Sequence, residues 1–133
     1  MNAIVVIPTI RDLSFLEDWR SEFESHKIIV CEDHPGKQIA LPDGFQIDHY
    51  SWNEIGEELG DKAWIIPHFN ASIRSFGYWK AWQENPDLIV TIDDDCYPSE
   101  LTSENEGFLA KHWQNLQRMT GGFPPLLHSS SQA

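Results

Sequence analysis

The chain is poor in basic residues: nine Lys and Arg stand against 21 Asp and Glu in 133 residues, a formal net charge of −12. That balance excludes general nucleic-acid binding, which needs a basic footprint. Cysteine is scarce as well. Cys31 and Cys96 make neither a disulfide framework nor a metal-type spacing, and the plain inference is a reducing, cytoplasmic setting. No apolar run approaches the roughly 20 residues of a membrane-spanning helix. Met1-Asn2-Ala3-Ile4 enters a strand-like run without the basic flank of a signal peptide. There is no internal repeat.

What the sequence does contain is an alternation of strand and helix patterns. Residues 3–8 (AIVVIP), 27–31 (KIIVC) and 88–92 (LIVTI) are continuous, β-branched apolar runs, as expected of strands buried on both faces. Residues 45–50 read as a short edge strand and 63–66 as another short strand. Leu13, Leu16, Trp19 and Phe23 recur at helical spacing, with Asp12 or Ser14 as the cap and Ser14 with Glu17 reading as a capping box. Ser51 and Glu54 form a second box, opening a short helix that Gly60 ends. Over residues 69–84, Phe69, Ile73, Phe76 and Trp79 share one arc, the expected core face. Asn70, Arg74, Gly77 and Ala81 form a separate narrow stripe, and Asn85-Pro86 ends the helix. A last helix is expected over 104–117, with Leu109, Trp113 and Leu116 facing inward. The expected fold is therefore α/β: a mostly parallel sheet with helices on both faces, in one domain over 1–120 and a tail over 121–133.

Ligands of such sheets bind at the carboxyl ends of the strands. Two of the three clear strands end there in acids, Glu32-Asp33 and Asp93-Asp94-Asp95, and the third ends in Pro8-Thr9-Ile10-Arg11. Residues 81–110 hold eight acids and no Lys or Arg. A dication reverses the electrostatics of such a stretch and turns it into a phosphate site. On an extended strand Asp93 and Asp95 would stand roughly 7 Å apart along the chain, too far for both to reach one ion, so either the chain turns at Asp95 or only one of the pair touches the metal directly. Asp95 is the expected direct ligand of magnesium or manganese. Asp93 is expected at ribose or a metal-bound water, and Asp94 as an orienting group. Arg74 is the best cation for a phosphate, although its stripe reads equally well as Gly77 and Ala81 packing tightly on the sheet while Arg74 snorkels to water. Asp33 is a candidate acceptor for a uracil imide, with Thr9 on the neighbouring strand end.

Several strings go further than spacing. Ile7-Pro8-Thr9-Ile10-Arg11-Asp12-Leu13, Phe15-Leu16-Glu17, Trp19-Arg20, Arg74-Ser75-Phe76-Gly77-Tyr78 and Thr91-Ile92-Asp93-Asp94-Asp95-Cys96 resemble, in order, the reversibly glycosylated polypeptides, the UDP-arabinopyranose mutases. The resemblance implies a GT-A-like nucleotide-sugar fold and a divalent ion, Mn2+ or Mg2+, at the Asp triplet. It implies a UDP-sugar partner, UDP-arabinose or a relative, and interconversion of its pyranose and furanose forms or a related glycosyl transfer. On this reading Thr9, Arg11, Asp33, Arg74, Asp93 and Asp94 face substrate, and Asp95 with Asp93 faces the metal. After Asp33 this chain has His34-Pro35 where the family carries Gly. Family members continue well past Ala133, so the acceptor-side half and the glycosylated arginine are expected beyond this chain.

Two competing readings follow. One is a non-catalytic nucleotide-sugar-binding or subunit-association module, in which an exposed sheet edge pairs with a second copy as a homo-oligomer. The other is a phosphatase of the haloacid-dehalogenase type, whose Asp-x-Asp spacing Asp93 and Asp95 match. It lacks support, because the 38 residues after Asp95 (133 − 95) supply no matching Lys and acidic pair.

Overall fold

The computed structural model describes residues 1–98 and 107–122. Two units are distinct, Met1–Pro98 and Ser99–Ala133. The first holds a four-stranded, all-parallel sheet in the order β3-β2-β1-β4, built from β1 (Ala3–Thr9), β2 (Lys27–Glu32), β3 (Gln46–Tyr50) and β4 (Leu88–Thr91). The three apolar runs are β1, β2 and β4: β1 and β2 are the inner strands, β4 lies at one edge with only alternate residues buried, and the weaker 45–50 pattern, β3, lies at the other edge.

β1 pairs with both β2 and β4, which occupies both of its edges, and nearly every residue along it is buried, so both of its faces are covered. Ala3, Val5, Val6 and Ile7 are fully buried, and Ile4 nearly so. One face carries Ile4, Val6, Ile29 and Cys31, which cluster with Ile55 of α2 (Trp52–Leu59) and with Ile73, Phe76 and Ala81 of α3 (Ile73–Trp82). Val5, Ile7, Ile28 and Val30 alternate with them and therefore point to the opposite face. The connection from β1 to β2 supplies buried Leu13, Leu16, Trp19 and Phe23.

That connection departs from the expected single helix. It is a 3-10 helix, Ser14–Trp19, followed by the one-turn α1, Arg20–Phe23. The Ser14 capping box does not form. Glu17 instead takes the guanidinium of Arg20 at 2.6 and 2.9 Å, which spends the carboxylate the box required. The Ser51–Glu54 pair does open α2, with Glu54 Oε1 accepting the Ser51 N–H at 2.7 Å. Residues 63–66 are not a strand: Gly60–Ile65 form a 3-10 helix continuing from α2, with Trp64 exposed.

α3 begins four residues later than the periodicity predicts. Phe69 lies outside the helix and is 74% exposed, and Trp79 is 38% exposed, so the core face narrows to Ile73, Phe76, Gly77 and Ala81. Gly77 explains why. A methyl group there would collide with Val6 Cγ1 and stand 3.0 Å from Cys31 Sγ, so the helix lies against β1 and β2 on its small residues. Asn85 closes this segment in the left-handed region (φ 52°), which Asn tolerates, and its N–H reaches the Trp82 carbonyl at 3.0 Å.

In the second unit the described element is α4, Phe108–Gly122, where Phe108 packs edge-on to His112 at 4.6 Å. Leu116, expected to face inward, is exposed. Glu104, the expected start, and the tail from 123 lie outside the described residues. No helix among the described residues is long and apolar enough to cross a membrane.

Candidate functional site

The strand order places a topological switch point between β1 and β4. The chain builds outward from β1 to β2 and β3, then crosses back to add β4 on the other side. The crevice beyond the carboxyl ends of two such strands is where open α/β sheets take ligands. Thr9 ends β1, and Asp93, Asp94 and Asp95 follow β4.

Just after β4 the chain turns. The Cys96 N–H bonds the Asp93 carbonyl at 3.3 Å, closing a turn over residues 93–96. This separates Asp94 from Asp93 and Asp95. Asp94 turns toward β1, where its Oδ2 accepts from Thr9 Oγ1 at 2.7 Å and lies 3.2 Å from Arg11 Nε. Thr9 Oγ1 also accepts the Arg11 N–H at 3.1 Å, so the end of β1 is tied to the acidic turn. Asp93 pairs with the Arg74 guanidinium at the start of α3. Arg74 Nε is buried and, among the described residues, has no hydrogen-bond partner; nor has Ser72 Oγ beside it.

Asp93 and Asp95 then share one side with a residue the spacing argument set aside. Donor atoms of Asp93, Asp95 and Cys96 all lie within 4.8 Å of one another. Cys96 follows the triplet directly, so adjacency in sequence was its only signal. Spacing rules developed for Cys and His pairs pass over it.

Cys31 is chemically different. It is buried beneath Gly77, and burial pushes its thiol up to about 12. Since an unfolded thiol titrates at 9.0, this burial carries no pH-dependent penalty below pH 9.0 and increasingly favours unfolding between 9.0 and about 12. Iodoacetamide at pH 8 should therefore label native protein once, on partly exposed Cys96, and label both thiols after denaturation. Peptide mass spectrometry reads this directly. Equal labelling of the two in the native state would contradict the packing of α3.

Asp33, after β2, is 8% exposed and its carboxylate is already engaged. Oδ1 accepts from Trp52 Nε1 at 2.8 Å and the Phe69 N–H at 3.0 Å, and Oδ2 accepts the Asn70 N–H at 3.1 Å. A carboxylate has about four acceptor positions, so about one remains for a ligand. Glu32, also buried, takes His49 Nε2 at 2.8 Å and the Gln38 N–H at 3.0 Å, which secures the loop beneath the site.

Two adjoining cavities open over these strand ends. One, about 340 Å³, is lined by Thr9, Asp33, Asn70 and Asp94; the other, about 400 Å³, by Arg11, Glu32, His34 and Gln38. Both also include Ile10, Asp33 and Phe69. Of the sequence-derived set, Thr9, Arg11 and Asp94 form one contact group and Arg74 with Asp93 another. Asp95 stands with Asp93 and Cys96, while Asp33 braces the turn at Phe69.

An all-parallel sheet with its acidic turn at the switch point defines the nucleotide-binding half of a GT-A-like α/β protein. The comparisons with known proteins name the family: the sequence model of the reversibly glycosylated polypeptides matches residues 2–124, and the chain belongs to that family. Over 114 residues it is 40% identical to a probable UDP-arabinopyranose mutase 1 of Pisum sativum and to UDP-arabinopyranose mutase 3 of Arabidopsis thaliana. It is 39% identical to UDP-arabinopyranose mutase 1 of Oryza sativa subsp. japonica. Each match covers 84% of this chain and 30 or 31% of the relative, so the chain spans about 30% of the length of the curated relatives it matches.

Proposed function

We propose that this chain carries the UDP-sugar-binding half of a UDP-arabinopyranose mutase-like protein and holds the diphosphate of its ligand with the help of a divalent cation. The observation that carries the reading is the turn over residues 93–96 at the switch point, with donor atoms of Asp93, Asp95 and Cys96 within 4.8 Å of one another.

The donor set fits manganese or magnesium in its main features. Two carboxylates supply hard oxygens and leave the remaining positions to water and diphosphate, the usual arrangement for these ions. Cys96 is a softer donor than either ion requires, so the two carboxylates carry the fit to both manganese and magnesium. Asp93 and Asp95 would hold the ion, with Cys96 beside them. Once bound, it supplies charge neutralisation for a departing or repositioned nucleoside diphosphate.

The remaining side chains have separable roles. Asp94 fixes Thr9 and Arg11 at the end of β1, which holds a hydroxyl and a guanidinium at the mouth of the cleft. Among the described residues Arg74 Nε–H has no hydrogen-bond partner, and a phosphate oxygen is an acceptor that would satisfy it. Asp33 contributes its remaining acceptor position to the base while its other contacts keep the cleft wall in place. Binding, orientation and charge compensation thus all come from the ends of β1, β2 and β4 and the start of α3.

Calorimetric titration with UDP tests the reading. Binding should be saturable with manganese present and at least about tenfold weaker with chelator, because the acidic turn alone repels the diphosphate. Equal affinity in both conditions removes the cation from the site. Absence of UDP binding in either condition removes the nucleotide site itself.

A further inference from the structure

Phe69 is the least expected residue in this molecule. Helical periodicity puts it in the core, yet its side chain is 74% exposed and its backbone sits at φ 53°, in the left-handed region. That region is a genuine outlier for a bulky aromatic residue, and such conformations persist where the surroundings enforce them. The enforcing group is the buried Asp33 carboxylate. Its two oxygens take the consecutive N–H groups of Phe69 and Asn70 at 3.0 and 3.1 Å, an anion held in a backbone nest.

The ring is held as well as the backbone. It stands edge-on to Trp52 at 5.1 Å and 80°, while Trp52 is fixed by its own bond to Asp33 and by the His68 ring stacked at 3.4 Å. Phe69 is therefore an exposed aromatic on a rigid mount. It lines both cavities over the strand ends, and so does Ile10, itself 63% exposed. A hydrophobic core role does not account for this, since the core of the α3 side closes on Ile73 and Phe76 without it.

We infer that Phe69 is the platform on which the nucleobase of the bound nucleotide stacks, positioned by Asp33 acting through the backbone. The inference rests on the UDP-sugar reading above. A flat base needs an apolar surface beside polar edge contacts, and here the ring adjoins the remaining acceptor of Asp33 and the hydroxyl of Thr9 in one cleft. Stacking gives affinity with little base selectivity, so the edge contacts carry the choice of base.

Phe69→Gly separates this role from a structural one, because glycine accepts the left-handed backbone that phenylalanine resists. In full-length chain with manganese, the variant should lose roughly tenfold to a hundredfold in UDP affinity by calorimetry. Its melting temperature should stay level or rise, its affinity for manganese alone should not change, and Phe69→Trp should restore UDP binding. Unchanged UDP affinity in Phe69→Gly overturns the inference while leaving the nucleotide site standing. A lowered melting temperature with weakened manganese binding overturns it too, since Phe69 would then be holding the fold. Failure of the unmodified chain to bind UDP removes the nucleotide reading and the platform together.

Discussion

Asp95→Asn should lower manganese-dependent UDP affinity by about a hundredfold while leaving the melting temperature level or slightly raised. Losing an outer partner of a metal ligand costs roughly ten- to a hundredfold in affinity, and a directly coordinating carboxylate sits at or above the top of that range. The fold is indifferent because Asp95 is exposed, in a turn closed by the backbone bond between Cys96 and Asp93. Removing one of three consecutive carboxylates also relieves like-charge repulsion. Asp94→Asn is the informative contrast. An asparagine oxygen still accepts from Thr9, but the pair with exposed Arg11 loses its charge, an effect of about 0–1 kcal/mol on stability. Calorimetry with UDP and manganese, paired with thermal denaturation, checks both variants. Unchanged affinity in Asp95→Asn takes that residue out of the cation site, and a large drop in melting temperature makes it a structural residue instead.

Gly77→Val should be the most destabilising single substitution on α3, costing about 3 kcal/mol or preventing folding altogether. A Cβ alone collides with Val6 Cγ1 and stands 3.0 Å from Cys31 Sγ, and both neighbours are fully buried strand residues with no room to withdraw. Overpacking of this kind costs about 1–3 kcal/mol, and a β-branched side chain lies at the upper end. For a unit of this size the melting temperature should fall by roughly 10–20 °C. Because Arg74 lies one turn away on the same helix, any variant that does fold should also bind UDP less well. A variant as stable as the parent would mean that α3 does not rest on β1 through Gly77. The result would also decide between the two readings of the Asn70, Arg74, Gly77 and Ala81 stripe. In the structure the stripe divides: Gly77 and Ala81 are packing residues, and Arg74 reaches Asp93.

The sites of disagreement between sequence and structure have different origins. Local pattern misplaces Phe69, residues 63–66 and Ser14, and only at Phe69 is the overruling partner distant in sequence. Asp33 draws the 69–70 backbone out of helical register from 36 residues away. Residues 60–65 continue from α2 as a 3-10 helix instead of joining the sheet. Arg20 takes the Glu17 carboxylate that Ser14 needed. Cys96 was missed for the opposite reason, since its neighbours in the cluster are also its neighbours in sequence, and no spacing rule scans for that.

Sequence pattern alone identifies the four strands of the sheet, their approximate limits and the acidic strand end, while adding a fifth at 63–66 that does not form. Apolar β-branched runs are satisfied by burial in a sheet, nearly throughout in β1 and β2 and on alternate residues in β4. At about 3.3 Å per strand residue, Asp93 and Asp95 can meet at one ion only if the chain turns there. Family membership was legible in the same strings, because they are long and ordered. Only the tertiary structure decided which groups face one another. Thr9 and Asp94 are 85 residues apart and meet because β4 adds beside β1 instead of beside β3. Strand order follows from how the helices pack over the whole sheet, and no local window of sequence records it.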